Sequence, residues 1–169
     1  MYSIPSKVLH AADDISTWIR GNIERPLLIG PDSESEQWVS EVAKGADAPF
    51  IVLQKIRHGD RDVEVTVPDI ELYKDRTPVL VDDIISTGET MIQTVKHLKR
   101  AGMRPPVCIG VHAVFAGNAY QNLMDAGAEV VATCNTIPHP SNAIPLTEHI
   151  ATSIATFMNN SNKKDILSL

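Results

Sequence analysis

Apolar positions along this chain alternate between two kinds of run. The first kind has helical spacing: Ile15, Trp18 and Ile19; then Trp38, Val39, Val42 and Ala43; then Met91, Ile92, Val95 and Leu98. Tyr120, Leu123 and Met124 give a fourth such face, and Ile150, Ile154 and Phe157 a fifth. The second kind is short and continuous: Leu27-Leu28-Ile29, Phe50-Ile51-Val52-Leu53, Val79-Leu80-Val81, Val107 to Phe115, and Val130-Val131-Ala132. Runs of this kind between amphipathic helices predict one α/β domain: a central parallel sheet of about five strands, flanked by helices. Val107 to Phe115 is the longest run and is expected as a central strand. Ser33 and Glu36 form a capping-box pattern, and Gly45, Gly102 and Gly127 fit helix ends. Between the second and third strands, Arg57 to Asp69 is polar, with Val63, Val65 and Val67 alternating inside it. That pattern suits a hairpin or a flap with one apolar side, mobile in the absence of ligand. The domain is expected over residues 1–158, followed by a polar tail over 159–169.

Composition narrows the partners. A chain of 169 residues suits one domain with a sizeable core. A net charge of −6 argues against nucleic acid held through its phosphates. The tight basic cluster Lys96, Lys99 and Arg100 sits where a helix C-terminus is expected and reads as dipole-matched, solvated charge. No apolar run reaches the length of a membrane span, and Met1 to Pro5 lacks a basic start with an apolar signal core. Cys108 and Cys134 match no zinc or CxxC spacing and read as buried free thiols. A cytoplasmic protein without nucleic-acid or membrane partners is the expectation.

The chemistry concentrates in Val79 to Thr90, VLVDDIISTGET. An apolar strand runs into two adjacent acids, then small and hydroxyl residues, then a helix. A turn of this kind points backbone N–H groups and the positive end of the helix dipole at one spot. Ser86, Thr87 and Thr90 add hydroxyl donors, and Gly88 permits close backbone approach. The pocket suits a phosphate monoester. Carboxylates repel phosphate, so Asp82 and Asp83 must serve differently, by accepting hydrogen bonds from sugar hydroxyls or by holding a metal. Acids for a diol beside amides for a phosphate describe a phosphorylated-sugar site. The plainer alternative is a tight turn with an acidic helix N-terminus.

Val-Asp-Asp-x-x-x-Thr-Gly-x-Thr resembles the PRPP-binding signature of type I phosphoribosyltransferases and PRPP synthases (ribose-phosphate pyrophosphokinases). Further stretches are similar to the synthases in particular. Ile29-Gly30-Pro31-Asp32 resembles their pyrophosphate- and magnesium-binding loop, and Lys55-Ile56-Arg57 with His58-Gly59-Asp60-Arg61 resembles the start of their catalytic flexible loop. Val111 to Ala119 is similar to a "THxxFSGxA" stretch, and Thr136-Ile137-Pro138 matches a "TIP". Order and spacing agree from about Ile4 to Met158. The resemblance implies a type I phosphoribosyltransferase-like fold with a flexible flap. It also implies diphosphoryl transfer from ATP to the C1 hydroxyl of ribose 5-phosphate. Ser86, Thr87, Gly88 and Thr90 would take the phosphate, Asp82 and Asp83 the ribose hydroxyls, and Lys55 and Arg57 the transferring phosphates; Asp32 would help bind Mg2+. Plainer readings stand beside these. Lys55 and Arg57 suit a solvated strand end, Asp32 a helix N-cap, and His112 a satisfied core histidine. His58 and His139 have no constellation around them, and Trp18 and Trp38 read as core.

Three departures qualify the resemblance. The synthases have two similar domains and this chain matches only the second, so the ATP contacts of the first are expected to be missing. Glu89 stands where glycine is usual, beside the phosphate pocket. Ser33-Glu34-Ser35 replaces a glycine-rich or smaller loop, and Glu34 and Glu36 favour a metal-bound over a bare pyrophosphate. Two functional classes follow: a ribose-phosphate diphosphokinase domain inactive without an N-terminal domain, or a sensor that holds ribose 5-phosphate or PRPP without turnover. The start at Met1, just before a helix, suits a piece of a longer protein, and a free-standing chain of this length suits the sensor. A phosphoribosyltransferase proper would need a base-recognising hood, and no such insertion is found. Family analogy suggests a homo-oligomer.

Overall fold

The structure is a computed structural model that describes residues 6–31, 33–58, 62–66 and 70–166. Its strands are β1 (Pro26–Gly30), β2 (Phe50–Val52), β3 (Gln54–His58), β4 (Asp62–Thr66), β5 (Thr77–Ile84), β6 (Val107–His112), β7 (Val130–Cys134) and β8 (Asn142–Ile144). The α-helices are α1 (Ala12–Asn22), α2 (Glu36–Ala46), α3 (Glu89–Arg100), α4 (Ala119–Ala126) and α5 (Thr147–Ile166). Six strands form one sheet in the order β2-β1-β5-β6-β7-β8. Every neighbouring pair in it is parallel. The expected sheet of about five strands therefore gains a sixth, β8. Its three residues are too few to show a periodicity. It is recognised instead by polar staples: Asn142 Nδ2–H donates to Thr133 Oγ1 and to the Cys134 carbonyl, each at 2.9 Å.

Strand alternation divides the core in two, as a doubly covered parallel sheet requires. Leu28, Val79, Val81, Val107 and Ile109 face α1 and α2, where Ile15, Ile19, Val39 and Val42 are buried. Leu27, Ile29, Leu80 and Cys108 face α3 and α4, where Met91, Val95, Leu98 and Leu123 are buried. Strand order reverses between β1 and β5. The chain leaves β1 for β2 on one side, then returns through β5 to build the other side. A crevice opens at such a reversal, outside the carboxyl ends of the strands. Gly30 and Asp82–Ile84 end their strands there.

Several local expectations change. The capping box at Ser33 and Glu36 does not form: a 3-10 turn occupies Ser33–Ser35, and α2 starts at Glu36 with Ser35 in the cap position and no side-chain cap bond. Gly45 lies inside α2 rather than ending it. A Cβ there would stand 2.5 Å from Ser16 Oγ, so this glycine lets α1 and α2 approach, and Asp47, at φ 52°, makes the left-handed cap. The apolar run Val107 to Phe115 is a strand only to His112. Helix α5 continues to Ile166, past the boundary expected after Met158. The segment read as a hairpin or flap, Arg57 to Asp69, overlaps an antiparallel pair, β3 and β4, that starts earlier, at Gln54, with Lys55 opposite Val65 and Arg57 opposite Val63; residues 59–61 and 67–69 lie outside the described residues. Among the described residues, no helix is long and apolar enough to cross a membrane.

Candidate functional site

The acids come first. Asp82 and Asp83 are carried to the edge of the sheet by β5, whose preceding residues Val79, Leu80 and Val81 are fully buried. The Asp83 amide donates to Asp82 Oδ1 at 2.9 Å, which turns one carboxylate back along the chain while the Asp83 side chain stands exposed. The chain then turns through Ile85 to Gly88 into α3. Ile85 anchors this turn. Its side chain is buried and lies over Gly110 of β6, where any Cβ would meet Ile85 Cδ1 at 2.7 Å. The segment after β6 supplies backbone staples: Ile85 N–H donates to the His112 carbonyl (3.1 Å), Phe115 N–H to the Ile85 carbonyl (2.8 Å) and Ala116 N–H to the Ser86 carbonyl (3.1 Å). Phe115 reaches this position in the left-handed region, at φ 39°, which costs a bulky residue about 1–3 kcal/mol.

Gly88 precedes the first helical residue with φ 71°, a conformation that favours glycine. Gly88, in the cap position, brings no side chain to cap α3, and a helix leaves its first-turn N–H groups without intrahelical partners. These amides, the exposed hydroxyls of Ser86 and Thr87, and Thr90 surround a notch of about 120 Å³ that also borders Asp82 and Glu89. The notch adjoins a cleft of about 740 Å³. Asp82 and Thr90 line both, and Asp83, Glu34, Trp38, His10, His112, Thr136 and His149 line the cleft.

All six residues expected to bind substrate, Asp82, Asp83, Ser86, Thr87, Gly88 and Thr90, thus lie around one notch and cleft at the sheet reversal. Lys55 and Arg57 are on β3. Strand β3 starts beside the same edge of the sheet, since Leu53 N–H donates to the Gly30 carbonyl at 2.9 Å. Asp32 lies outside the described residues. Of the two acids expected near the pyrophosphate loop, Glu34 lines the cleft, whereas Glu36 is an exposed first residue of α2. Glu89 is exposed at the start of α3 and borders the notch. Among the described residues, no group of three or more His, Cys, Asp or Glu side chains could hold a metal ion by itself.

The histidines correct the sequence reading. His112 is not a core residue. It ends β6, is only half-buried, lines the cleft and pairs through Nδ1 with Thr136 Oγ1 at 2.9 Å. His139 does have a constellation: its ring packs 4.5 Å from Phe115 and 5.0 Å from Tyr120, and the Ser141 amide donates to its Nδ1 at 3.1 Å. Two cleft histidines escaped the sequence reading altogether. His10 precedes α1, and His149 opens α5 and bonds Asp14 of α1 through Nδ1 at 2.8 Å. Nothing in local periodicity marks them, since each reaches the cleft from a distant element. Trp18 packs against the core as expected. Trp38 also does so, but it lines the cleft as well, and its buried indole N–H has no acceptor among the described residues.

Residues 3–149 match the phosphoribosyl transferase domain family. The protein named ribose-phosphate pyrophosphokinase in Sulfolobus acidocaldarius is 31% identical over 151 residues, which cover 88% of this chain and 51% of that protein. Its namesake in Sulfurisphaera tokodaii is 30% identical over 146 residues, or 84% of this chain and 49% of the relative. The crystal structure of phosphoribosylpyrophosphate synthetase from Mycobacterium smegmatis matches with a TM-score of 0.76 at 25% identity, over 89% of this chain and 51% of that one. The chain spans about half the length of the curated relatives it matches. The overall fold is shared with that synthetase, and the chain belongs to the phosphoribosyl transferase domain family, as a ribose-phosphate pyrophosphokinase-like domain.

Proposed function

We propose that the cleft binds ribose 5-phosphate, or PRPP, together with Mg2+, as the sugar-phosphate side of diphosphoryl transfer from ATP. The observation that carries this is the juxtaposition of an uncapped helix start, Gly88 at φ 71° and two strand-end carboxylates around one notch and cleft. A phosphate monoester in the notch receives hydrogen bonds from the first-turn amides of α3 and from Ser86, Thr87 and Thr90. Asp82 and Asp83 then face the hydroxyls of the attached sugar as acceptors. The carboxylates that line the cleft are oxygen donors, which suit a hard divalent cation. Mg2+ commonly takes only one or two carboxylates and completes its shell with substrate phosphates and water. Asp82, Asp83 and Glu34 are the carboxylates that line this cleft and would hold it; Asp32, also expected to bind Mg2+, lies outside the described residues. When bound, the cation neutralises phosphate charge.

In the transfer, the C1 oxygen of the sugar forms a bond to the β-phosphorus of ATP, the bond from that phosphorus to the oxygen of the departing AMP breaks, and the proton of the C1 hydroxyl leaves to solvent or a base. Lys55 and Arg57, on the hairpin beside the same edge, would balance the charge that accumulates on the moving phosphates. The ATP side of this reaction has no residues assigned to it among those described. A second reading is therefore binding without turnover, in which the domain senses the sugar phosphate.

Titration calorimetry separates these readings from an empty fold. We expect Mg2+-dependent binding of ribose 5-phosphate, reduced at least about tenfold by Asp83→Ala or Thr87→Ala through loss of charge-assisted or hydroxyl bonds. Unchanged affinity in both variants would remove the assignment. Incubated with ATP, Mg2+ and ribose 5-phosphate, the 169-residue chain alone is expected to release no AMP. Clear release would instead place an ATP site within this chain.

A further inference from the structure

Two of the stretches that resemble the synthases, Val111 to Ala119 and Thr136-Ile137-Pro138, contribute side chains to the cleft that have no assigned ligand contact so far. The structure joins them. Thr136 Oγ1 lies 2.9 Å from the Val111 carbonyl and 2.9 Å from His112 Nδ1. A hydroxyl has one proton. The Val111 carbonyl can only accept, so it takes that proton. The Thr136 oxygen must then accept from His112, and Nδ1 is the protonated nitrogen. In the neutral ring this leaves Nε2 as a lone-pair acceptor. It is also the ring nitrogen left over for a ligand, in a side chain that lines the cleft with Asp82 and Asp83. Register places His112 opposite Ile84, directly after those acids on the neighbouring strand. Its carbonyl accepts the Ile85 amide, so the imidazole and the phosphate turn are held as one unit.

We propose that His112 is a sugar-hydroxyl acceptor, and that Thr136 positions it by fixing its tautomer. This rests on the sugar-phosphate reading of the cleft and adds a residue to it. An acceptor lone pair repels phosphate oxygens, so Nε2 is matched to a group that brings a proton. The hydroxyls of a pentose whose phosphate occupies the neighbouring notch are such groups. The assignment gives both stretches one purpose: the first carries the acceptor, and the second sets which nitrogen accepts.

The test has two parts. Long-range 1H–15N NMR of the ligand-free protein, with His112 assigned by its loss in His112→Gln, should show the proton on Nδ1 and a bare Nε2. Thr136→Val should abolish that preference, and Thr136→Ser should restore it. A proton on Nε2 in the wild-type protein would overturn the inference before any ligand is added. In calorimetry, His112→Ala should weaken ribose 5-phosphate about fivefold, the scale of one neutral hydrogen bond. It should leave inorganic phosphate unaffected, and His112→Gln, whose amide oxygen can accept near the Nε2 position, should recover part of the loss. If wild-type protein binds ribose 5-phosphate and His112→Ala binds it equally, the inference fails while the reading of the cleft survives. If wild-type protein does not bind ribose 5-phosphate, the reading itself fails and takes the inference with it.

Discussion

At Gly88 the backbone sits at φ 71°, and a Cβ would lie 3.2 Å from Leu123 Cδ1. Gly88→Ala should therefore cost about 1 kcal/mol of stability in a urea titration and displace the amides that face the notch. Ile85→Ala should cost more, about 2–5 kcal/mol, because it empties the space over Gly110 that anchors the turn. Glu89 tests the electrostatics. Its carboxylate favours the start of α3 but repels a phosphate in the notch, so Glu89→Gln should tighten ribose 5-phosphate binding by about two- to fivefold at low salt. An affinity that falls instead would show that Glu89 contributes to the site through a cation or a hydroxyl. The residues from Asp82 to Thr90 were legible in the sequence because strand, acids, hydroxyls and glycine are contiguous there. His10, Trp38 and His149 were not legible as site residues, because each reaches the cleft from a different element and none carries a local signal; Thr136 was marked by its motif but without a role.

Among the elements, β6 shows what hydrophobicity cannot tell. Val107 to Phe115 is one apolar run, but residues 113–116 leave the sheet to staple the turn before α3 through Phe115 and Ala116. Apolarity predicted burial there; only the hydrogen bonds distinguish strand from turn. Helices were legible from their faces, whereas the α2 boundaries were not. A 3-10 turn displaced the capping box, and Gly45 served helix contact instead of helix termination. The interior of β6 and β7 also makes a pH prediction. Burial raises the Cys108 thiol from 9.0 to about 12, and burial with the nearby Asp14 charge raises Cys134 to about 12. Both thiols stay protonated in the folded protein while the unfolded chain ionises first. Their contribution to stability is thus intact below pH 9 and lost as pH rises from about 9 to about 12. Denaturant midpoints should fall over that window, and less steeply in Cys108→Ala. An equal slope in the variant would mean that this thiol is not protected by burial.

Across the whole molecule, function follows from the reversal of strand order between β1 and β5. That reversal separates the loops after the two strands and opens the crevice into which α3 directs its amides. Sequence alone reached the layer architecture, since alternating strand and helix runs leave few other arrangements. The sixth strand and the cleft's far wall depended on packing between distant segments. The measurement that bears most directly on the central claim is a crystal structure with ribose 5-phosphate and Mg2+. The account predicts the phosphate among the backbone amides of residues 86–90, with Asp82 and Asp83 on the sugar hydroxyls. A sugar phosphate bound elsewhere, with that turn vacant, would contradict it.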